Sequence, residues 1–212
     1  MDDNNANLQE NAVLSDKTDE NKQFKRDLFD WIEVLVHAIL AVVLCFSFLF
    51  RIATIDGDSM MNTLVEGERV VINNIFYTPK AGDIVVISRN KQNDVYDNNP
   101  QDKPIIKRII ATEGQSVDID FEQGIVYVDG VELDEPYTKP MQPYEKYAKY
   151  DIQFPVTVDE GCVFVLGDNR PVSLDSRSSQ IGEYGMIDTR YILGHAVFRV
   201  FPFNKIGKID ER

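Results

Sequence analysis

Between Trp31 and Phe50 the chain reads WIEVLVHAILAVVLCFSFLF, with Glu33 as its one charged side chain. From Ile32 to Phe50 a helix rising 1.5 Å per residue extends roughly 28 Å, close to the hydrocarbon thickness of a bilayer. The competing reading is a buried core helix, but Glu33 and His37 interrupt its first turns. Glu33 can sit at a membrane interface, and His37 can pack against another helix or snorkel. The residues that follow, RIATIDG, carry no small-x-small cleavage site, and the run is long for the apolar part of a removed leader. It is therefore read as a retained transmembrane anchor, residues 28–51. Lys17, Lys22, Lys25 and Arg26 precede it, whereas Arg51 and Arg69 are the nearest basic residues after it. The positive-inside bias places the N-terminus in the cytoplasm and residues 52–212 outside.

Two segments flank this anchor. The first 23 or so residues are rich in Asp, Asn, Glu and Gln and have few large apolar side chains. Such a stretch cannot bury enough surface to order itself, so residues 1–27 are read as a disordered tail. Beyond the anchor, 212 residues in all allow one domain carrying an insertion. A formal net charge of −13 argues against a nucleic-acid binder, which would carry a basic stripe. Cys45 lies in the apolar run and Cys162 far downstream, so no disulfide is expected. His37 and His195 are too isolated to form a metal cluster, and no metal is expected.

The exported part reads as strands. ERVVINNIF, GDIVVISRN and PIIKRIIA are β-branched runs bounded by turn residues. GIVYVDGVEL places Asp129-Gly130 between two such flanks, a hairpin turn that needs positive φ. CVFVLGDN and GHAVFRVF bring the set to about six strands or more. No amphipathic helix of useful length follows residue 51. Residues 135–150, EPYTKPMQPYEKYAKY, read as an irregular excursion. The fold class is mainly β, preceded by one transmembrane helix.

Three features single out the turn DGDSMMNTL, residues 56–64. Ser59 stands in it, and a serine in a Gly/Asp turn is ordinarily only a turn residue. Lys107, however, lies inside an apolar strand among Ile105, Ile106, Ile109 and Ile110. On an edge strand such a lysine would only block aggregation. Desolvated instead, its amine loses affinity for a proton, and a neutral lysine can act as a general base. No histidine is well placed for that role: His37 is in the anchor, and His195 opens a strand. Ser–Lys pairs are a known alternative. Finally, GDNRPVSLDSR, residues 167–177, packs Asp, Asn, Arg and Ser into one loop. Asp175 and Arg177 can fix it by charge-assisted bonds, and Ser173 could orient a neighbouring amine.

In their order, the anchor, GDSMMNTL, GDIVVI, KRIIATEGQ and GDNRPVSLDSR resemble type I signal peptidases, the membrane-bound serine proteases that remove signal peptides from exported proteins. The resemblance covers essentially the whole chain after the tail. It implies Ser59 as nucleophile and Lys107 as general base. It also implies a hydrogen bond from Ser173 to the lysine, with Asp175 and Arg177 holding the site. The oxyanion would receive the Ser59 backbone N–H. Where some members add a serine hydroxyl two residues earlier, this chain has Gly57. Asn62 replaces the family's usual proline and is expected to loosen the turn. Ile55, Met60, Leu64 and Ile106 are the candidates for shallow apolar substrate pockets, with core packing as their plainer role. The implied fold is an antiparallel β catalytic core with a smaller β insertion at about 113–160. The implied partners are preprotein signal peptides and the lipid bilayer, with no cofactor. The implied location is a bacterial cell membrane, single-pass. Ser59 lies nine residues past Phe50, at most roughly 30 Å of chain, which keeps it near the membrane boundary. Two rivals remain. Self-cleaving repressors carry a DNA-binding domain and no anchor. A non-catalytic membrane-anchored β binding module leaves Ser59, Lys107 and the 167–177 loop unexplained.

Overall fold

The computed structural model describes residues 23, 26, 28–44, 50–89, 103–139 and 150–209. The chain divides into two units, Met1–Phe48 and Leu49–Arg212. Among the described residues the one α-helix of the first unit runs over 28–44. Trp31, Val34, Leu35 and Val36 are all exposed on it. Successive residues point about 100° apart around a helix, so its apolar surface is not confined to one stripe. His37 Nδ1 lies 2.8 Å from Glu33 O, one turn back. Among the described residues no helix is long and apolar enough to cross a membrane. The expected tail, apart from residues 23 and 26, and Cys45 lie outside the described residues.

The expectation of a helix continuing through Phe50 is corrected at its C-terminal end. Phe50 opens strand β1, Phe50–Thr54, which lies antiparallel on β2, Arg69–Asn73, with Phe50 opposite Asn73 and Thr54 opposite Arg69. The sheet thus claims Phe50 and Arg51, which hydropathy alone assigned to the anchor.

The second unit is antiparallel β throughout its named strands. After β2 come β3 (Ile84–Ile87), β4 (Ile105–Thr112), β5 (Ser116–Asp120), β6 (Ile125–Val128), β7 (Val131–Glu132) and β8 (Val156–Thr157). These are followed by β9 (Cys162–Leu166), β10 (Ile187–Asp188), β11 (Ile192–Phe201) and β12 (Gly207–Lys208). The larger sheet has the order β1-β2-β11-β3-β4-β9-β10, with β12 beside β11; the smaller has the order β7-β6-β5-β8. The β6–β7 hairpin turns on Asp129 and Gly130, at φ +52° and +77°, the left-handed pair that a two-residue hairpin of this twist requires. Asp129 also accepts the Ser116 N–H at 2.8 Å, tying the turn to β5.

Burial explains the strand patterns. β3 reads IVVI without a polar residue because both of its faces are covered. Ile84 and Val86 join a core with Met60, Leu64 and Val70, while Val85 and Ile87 join another with Ile109, Val163 and Val165. The two sheets share a third core. Phe164, Leu166, Ile110 and Ala111 of the larger sheet meet Val117, Ile119, Val126 and Val128 of the smaller. Strand β4 pairs with β3 from Ile105, but its pairing with β9 begins only at Arg108. The flank of Ile105–Lys107 on that side therefore carries no β9 residue.

Phe164 has no exposed surface and stands in edge-on contact with Phe154, 6.0 Å between ring centres. Phe164→Ala is expected to destabilise the domain by about 3–5 kcal/mol, read as a lowered urea midpoint with an unchanged slope.

Candidate active site

Ser59 sits in a chain of tight turns between β1 and β2. The Met61 N–H donates to Asp58 O at 3.0 Å, and the Thr63 and Leu64 N–H groups both donate to Met60 O, at 3.0 and 2.9 Å. Asn62 adopts φ +90°. That value suits the third position of a type II turn, where glycine and asparagine are the usual residues. The turn expected to be loosened at Asn62 is instead closed by two hydrogen bonds to one carbonyl. Gly57, two residues before the serine, is also left-handed, at φ +88°. Ile55, Met60 and Leu64 point into the core, at most 3% exposed, whereas Ile106 is half-buried beside them.

Lys107 comes from β4, opposite Val85, and is 2% exposed. Its Nζ lies 2.8 Å from Ser59 Oγ and donates to Ile106 O at 2.9 Å. Residues 48 apart in sequence are thus brought into contact, with the serine half-buried and the lysine nearly dry.

The 167–177 loop docks onto this pair. Asn169 donates its backbone N–H to Ser59 O and its side-chain amide to Asp58 O, both at 3.0 Å. Gly167 lies so close that a Cβ there would stand 2.5 Å from Ser59 O and 2.2 Å from Ser173 Oγ. Only a hydrogen fits. Ser173 is fully buried beside Asp175. Asp175 takes Arg177 Nε at 2.7 Å and Nη2 at 2.8 Å, and its second oxygen accepts the Gly167 N–H at 3.0 Å. Burial alone would raise the Asp175 pKa. The Arg177 charge and these hydrogen bonds outweigh it and hold the carboxyl below its usual range. Burial pulls the Arg177 guanidinium the other way, and Asp175 reverses that too.

Sequence reasoning missed a second fork. Arg108, the residue after the lysine, donates Nε and Nη2 to Asp168 at 2.9 and 2.8 Å and Nη1 to Gly82 O at 2.9 Å. The Thr63 hydroxyl donates to the same Asp168 carboxylate. Arg199 donates to Thr63 O at 2.5 Å and pairs with Glu68. The adjacency of Lys107 to Arg108, and of Asp168 to Asn169, was the available clue. Arg170 pairs with Glu135. His195 stacks on Tyr77, 5.1 Å between ring centres, with Asp83 3.8 Å away. Among the described residues no group of His, Cys, Asp and Glu is arranged to hold a metal ion.

A half-buried hydroxyl in contact with a buried amine is an arrangement suited to nucleophilic attack assisted by a base. Comparison with known proteins bears on this geometry. The family model described as signal peptidase, peptidase S26, matches residues 28–201. The chain is 34% identical to signal peptidase I of Bacillus licheniformis over 88% of this chain and 95% of that protein. It is 33% identical to signal peptidase I S of Bacillus subtilis (strain 168), over 90% and 98% respectively. With the probable signal peptidase I-1 of Synechocystis sp. it shares 36% identity over 84% of each chain.

Asp175→Asn leaves the Arg177 guanidinium buried without its counter-charge and is expected to cost about 3–5 kcal/mol at neutral pH. Because the folded carboxyl has the lower pKa, the wild-type advantage is complete above the unfolded value of 3.8 and shrinks as the pH falls through the folded one. Urea unfolding of both proteins at neutral and acid pH checks the size and the sign.

Proposed function

We propose, from the premise that this chain belongs to the signal peptidase family, peptidase S26, that it cleaves signal peptides from exported preproteins with Ser59 as nucleophile and Lys107 as general base. The chain is a serine endopeptidase by that membership. The observation that carries the residue assignment is the 2.8 Å contact between Lys107 Nζ and Ser59 Oγ.

In this mechanism neutral Lys107 takes the Ser59 hydroxyl proton while Oγ attacks the scissile carbonyl. The Ser59 backbone N–H receives the oxyanion. The tetrahedral intermediate collapses with loss of the mature protein's amine, which leaves with the proton. The signal peptide stays behind as an ester on Ser59. Lys107 then takes a proton from a water that attacks the ester. The second tetrahedral intermediate collapses, the signal peptide leaves as its carboxylic acid, and the Lys107 ammonium returns the proton to Ser59 Oγ, restoring the hydroxyl and the neutral amine. Ser173 is the residue assigned to steering the amine, with Asp175 and Arg177 fixing its loop. No step needs a metal or a cofactor.

The substrate is expected to enter extended. Strand β1 is an edge of the larger sheet, and the Ile105–Lys107 flank of β4 faces no β9 residue. Asp56 and Lys103 connect the ends of these two stretches at 3.0 Å. A peptide strand added there gains backbone hydrogen bonds and presents alternate side chains to the protein. Ile106 offers half-buried apolar surface next to the dyad. The apolar run that contains the helix is assigned as a single-pass anchor in a bacterial cell membrane, with the N-terminus cytoplasmic and the β unit outside.

Ser59→Ala is expected to abolish preprotein cleavage with the fold intact, since a half-buried turn serine adds little to a core. Lys107→Arg and Lys107→Ala are expected to be inactive too, because a guanidinium does not give up its proton in the working range. An unperturbed lysine, with a pKa of about 10.4, is neutral in only about 0.04% of molecules at pH 7. Burial disfavours the ammonium form, so kcat/KM is expected to rise with pH as the ammonium gives up its proton. An arginine variant that cuts near the wild-type rate would reduce Lys107 to an electrostatic prop.

A further inference from the structure

Two guanidiniums flank the dyad, and each forks onto one carboxylate: Arg108 onto Asp168 and Arg177 onto Asp175. All four side chains are at most 1% exposed. A fork uses the edge of the planar group and leaves its faces. In both cases an aromatic ring lies over one face. Arg108 Cζ stands 3.8 Å from the centre of Tyr137, and Arg177 Cζ stands 4.0 Å from the centre of Tyr150.

Neither ring belongs to the larger sheet. Tyr137 follows β7 in the stretch that supplies Glu135 to Arg170 and the Lys139 N–H to Asp168 O at 2.8 Å. Tyr150 precedes β8, and its hydroxyl donates to Arg170 O at 2.9 Å. That same carbonyl accepts Arg177 Nη2 at 2.8 Å. The segments leaving and re-entering the smaller sheet therefore cover the two forks from outside.

The Arg108–Asp168 fork is joined to the dyad through neighbouring residues. Arg108 adjoins Lys107 in β4. Asp168 holds the Thr63 hydroxyl and adjoins Asn169, which grips Ser59 O. A guanidinium is weakly hydrated on its faces and stacks well on aromatic rings. A ring there keeps water off the fork, and charge pairs hold more firmly where water is excluded. The phenol of Tyr137 is not an acid in this setting, since burial first and Glu135 second push its pKa well above the usual value.

We infer that Tyr137 is a positioning residue for cleavage: its ring caps the Arg108–Asp168 fork and so holds the Ser59 turn against Lys107, with Tyr150 doing the same for Arg177–Asp175. This rests on the Ser59/Lys107 reading. The hydroxyl of Tyr137 is dispensable to the role and the ring is not.

The test measures kcat and KM on a preprotein for wild type, Tyr137→Phe, Tyr137→Met and Ser59→Ala, with amide hydrogen exchange on the full chain. Tyr137→Met is expected to lower kcat by about 10- to 100-fold, as small misplacements of reacting groups do, with KM within about threefold. Tyr137→Phe restores kcat to within about threefold of wild type. Exchange at Thr63, Leu64 and Asn169 is expected to speed up by about tenfold in Tyr137→Met, but not in β3. A methionine variant with wild-type kcat and unchanged exchange overturns the inference, as does a phenylalanine variant that loses as much as methionine. Should the methionine variant fail to fold, the phenylalanine variant decides: retained kcat supports the capping role and lost kcat overturns it. A fully active Ser59→Ala would instead overturn the nucleophile assignment, and the exchange pattern would still report on the capping.

Discussion

The bidentate bond between Asp175 and Arg177, wholly out of water, is the constraint on which the rest of the site depends. Taking two charges into a dry interior is costly, and mutual attraction offsets the cost only when the geometry is good and the remaining bonding sites are filled. Here they are filled by groups that matter for the site. Asp175 spends an oxygen on the Gly167 N–H, and Arg177 spends a nitrogen on Arg170 O. The pair thereby fixes the backbone of the loop whose next residues hold the Ser59 turn. Moving the carboxylate would shift Gly167, and Gly167 has no room to shift, because Ser59 O and Ser173 lie against it.

Lys107 is fixed by different physics. It is a residue of β4, and β4 is held by the register of the larger sheet, with Val85 opposite the lysine. A slip by one residue would turn Lys107 and Arg108 to the opposite faces of the sheet, away from Ser59 and Asp168, so the placement of both depends on that register. The serine thus arrives on a turn locked by ion pairs, and the lysine on a strand locked by register. The Arg108–Asp168 fork joins the two systems, since Arg108 is in the strand and Asp168 in the loop. The smaller sheet shares the Phe164 core and sends Glu135 and Tyr137 over the same junction.

Local chemistry was legible in the sequence, and distant partnership was not. Asp129-Gly130 announced a hairpin because its backbone requirement is met within two residues. Asp175 and Arg177 could be paired because they are two positions apart. Lys107 stood out as a charge in an apolar strand. Arg108 carried no such mark, since its carboxylate is 60 residues away and is chosen by the β4–β9 register. Tyr137 and Tyr150 lay in a stretch that reads as irregular, and nothing local says that a ring will find a guanidinium face. The end of the helix was misplaced because hydropathy is blind to pairing. Phe50 is as apolar as the residues before it, yet Asn73 across the sheet makes it a strand residue.

The backbone at Asn62 decides what a proline would do in its place. A pyrrolidine ring fixes φ near −65°, and the angle here is +90°. The two side chains are therefore not interchangeable at a fixed backbone: each belongs to its own turn. Grafting the proline alone would ask the chain to rebuild residues 60–64 around a serine that Asn169 already grips. Substitution here is contingent on its neighbours, so the same residue can be neutral on one backbone and disabling on another.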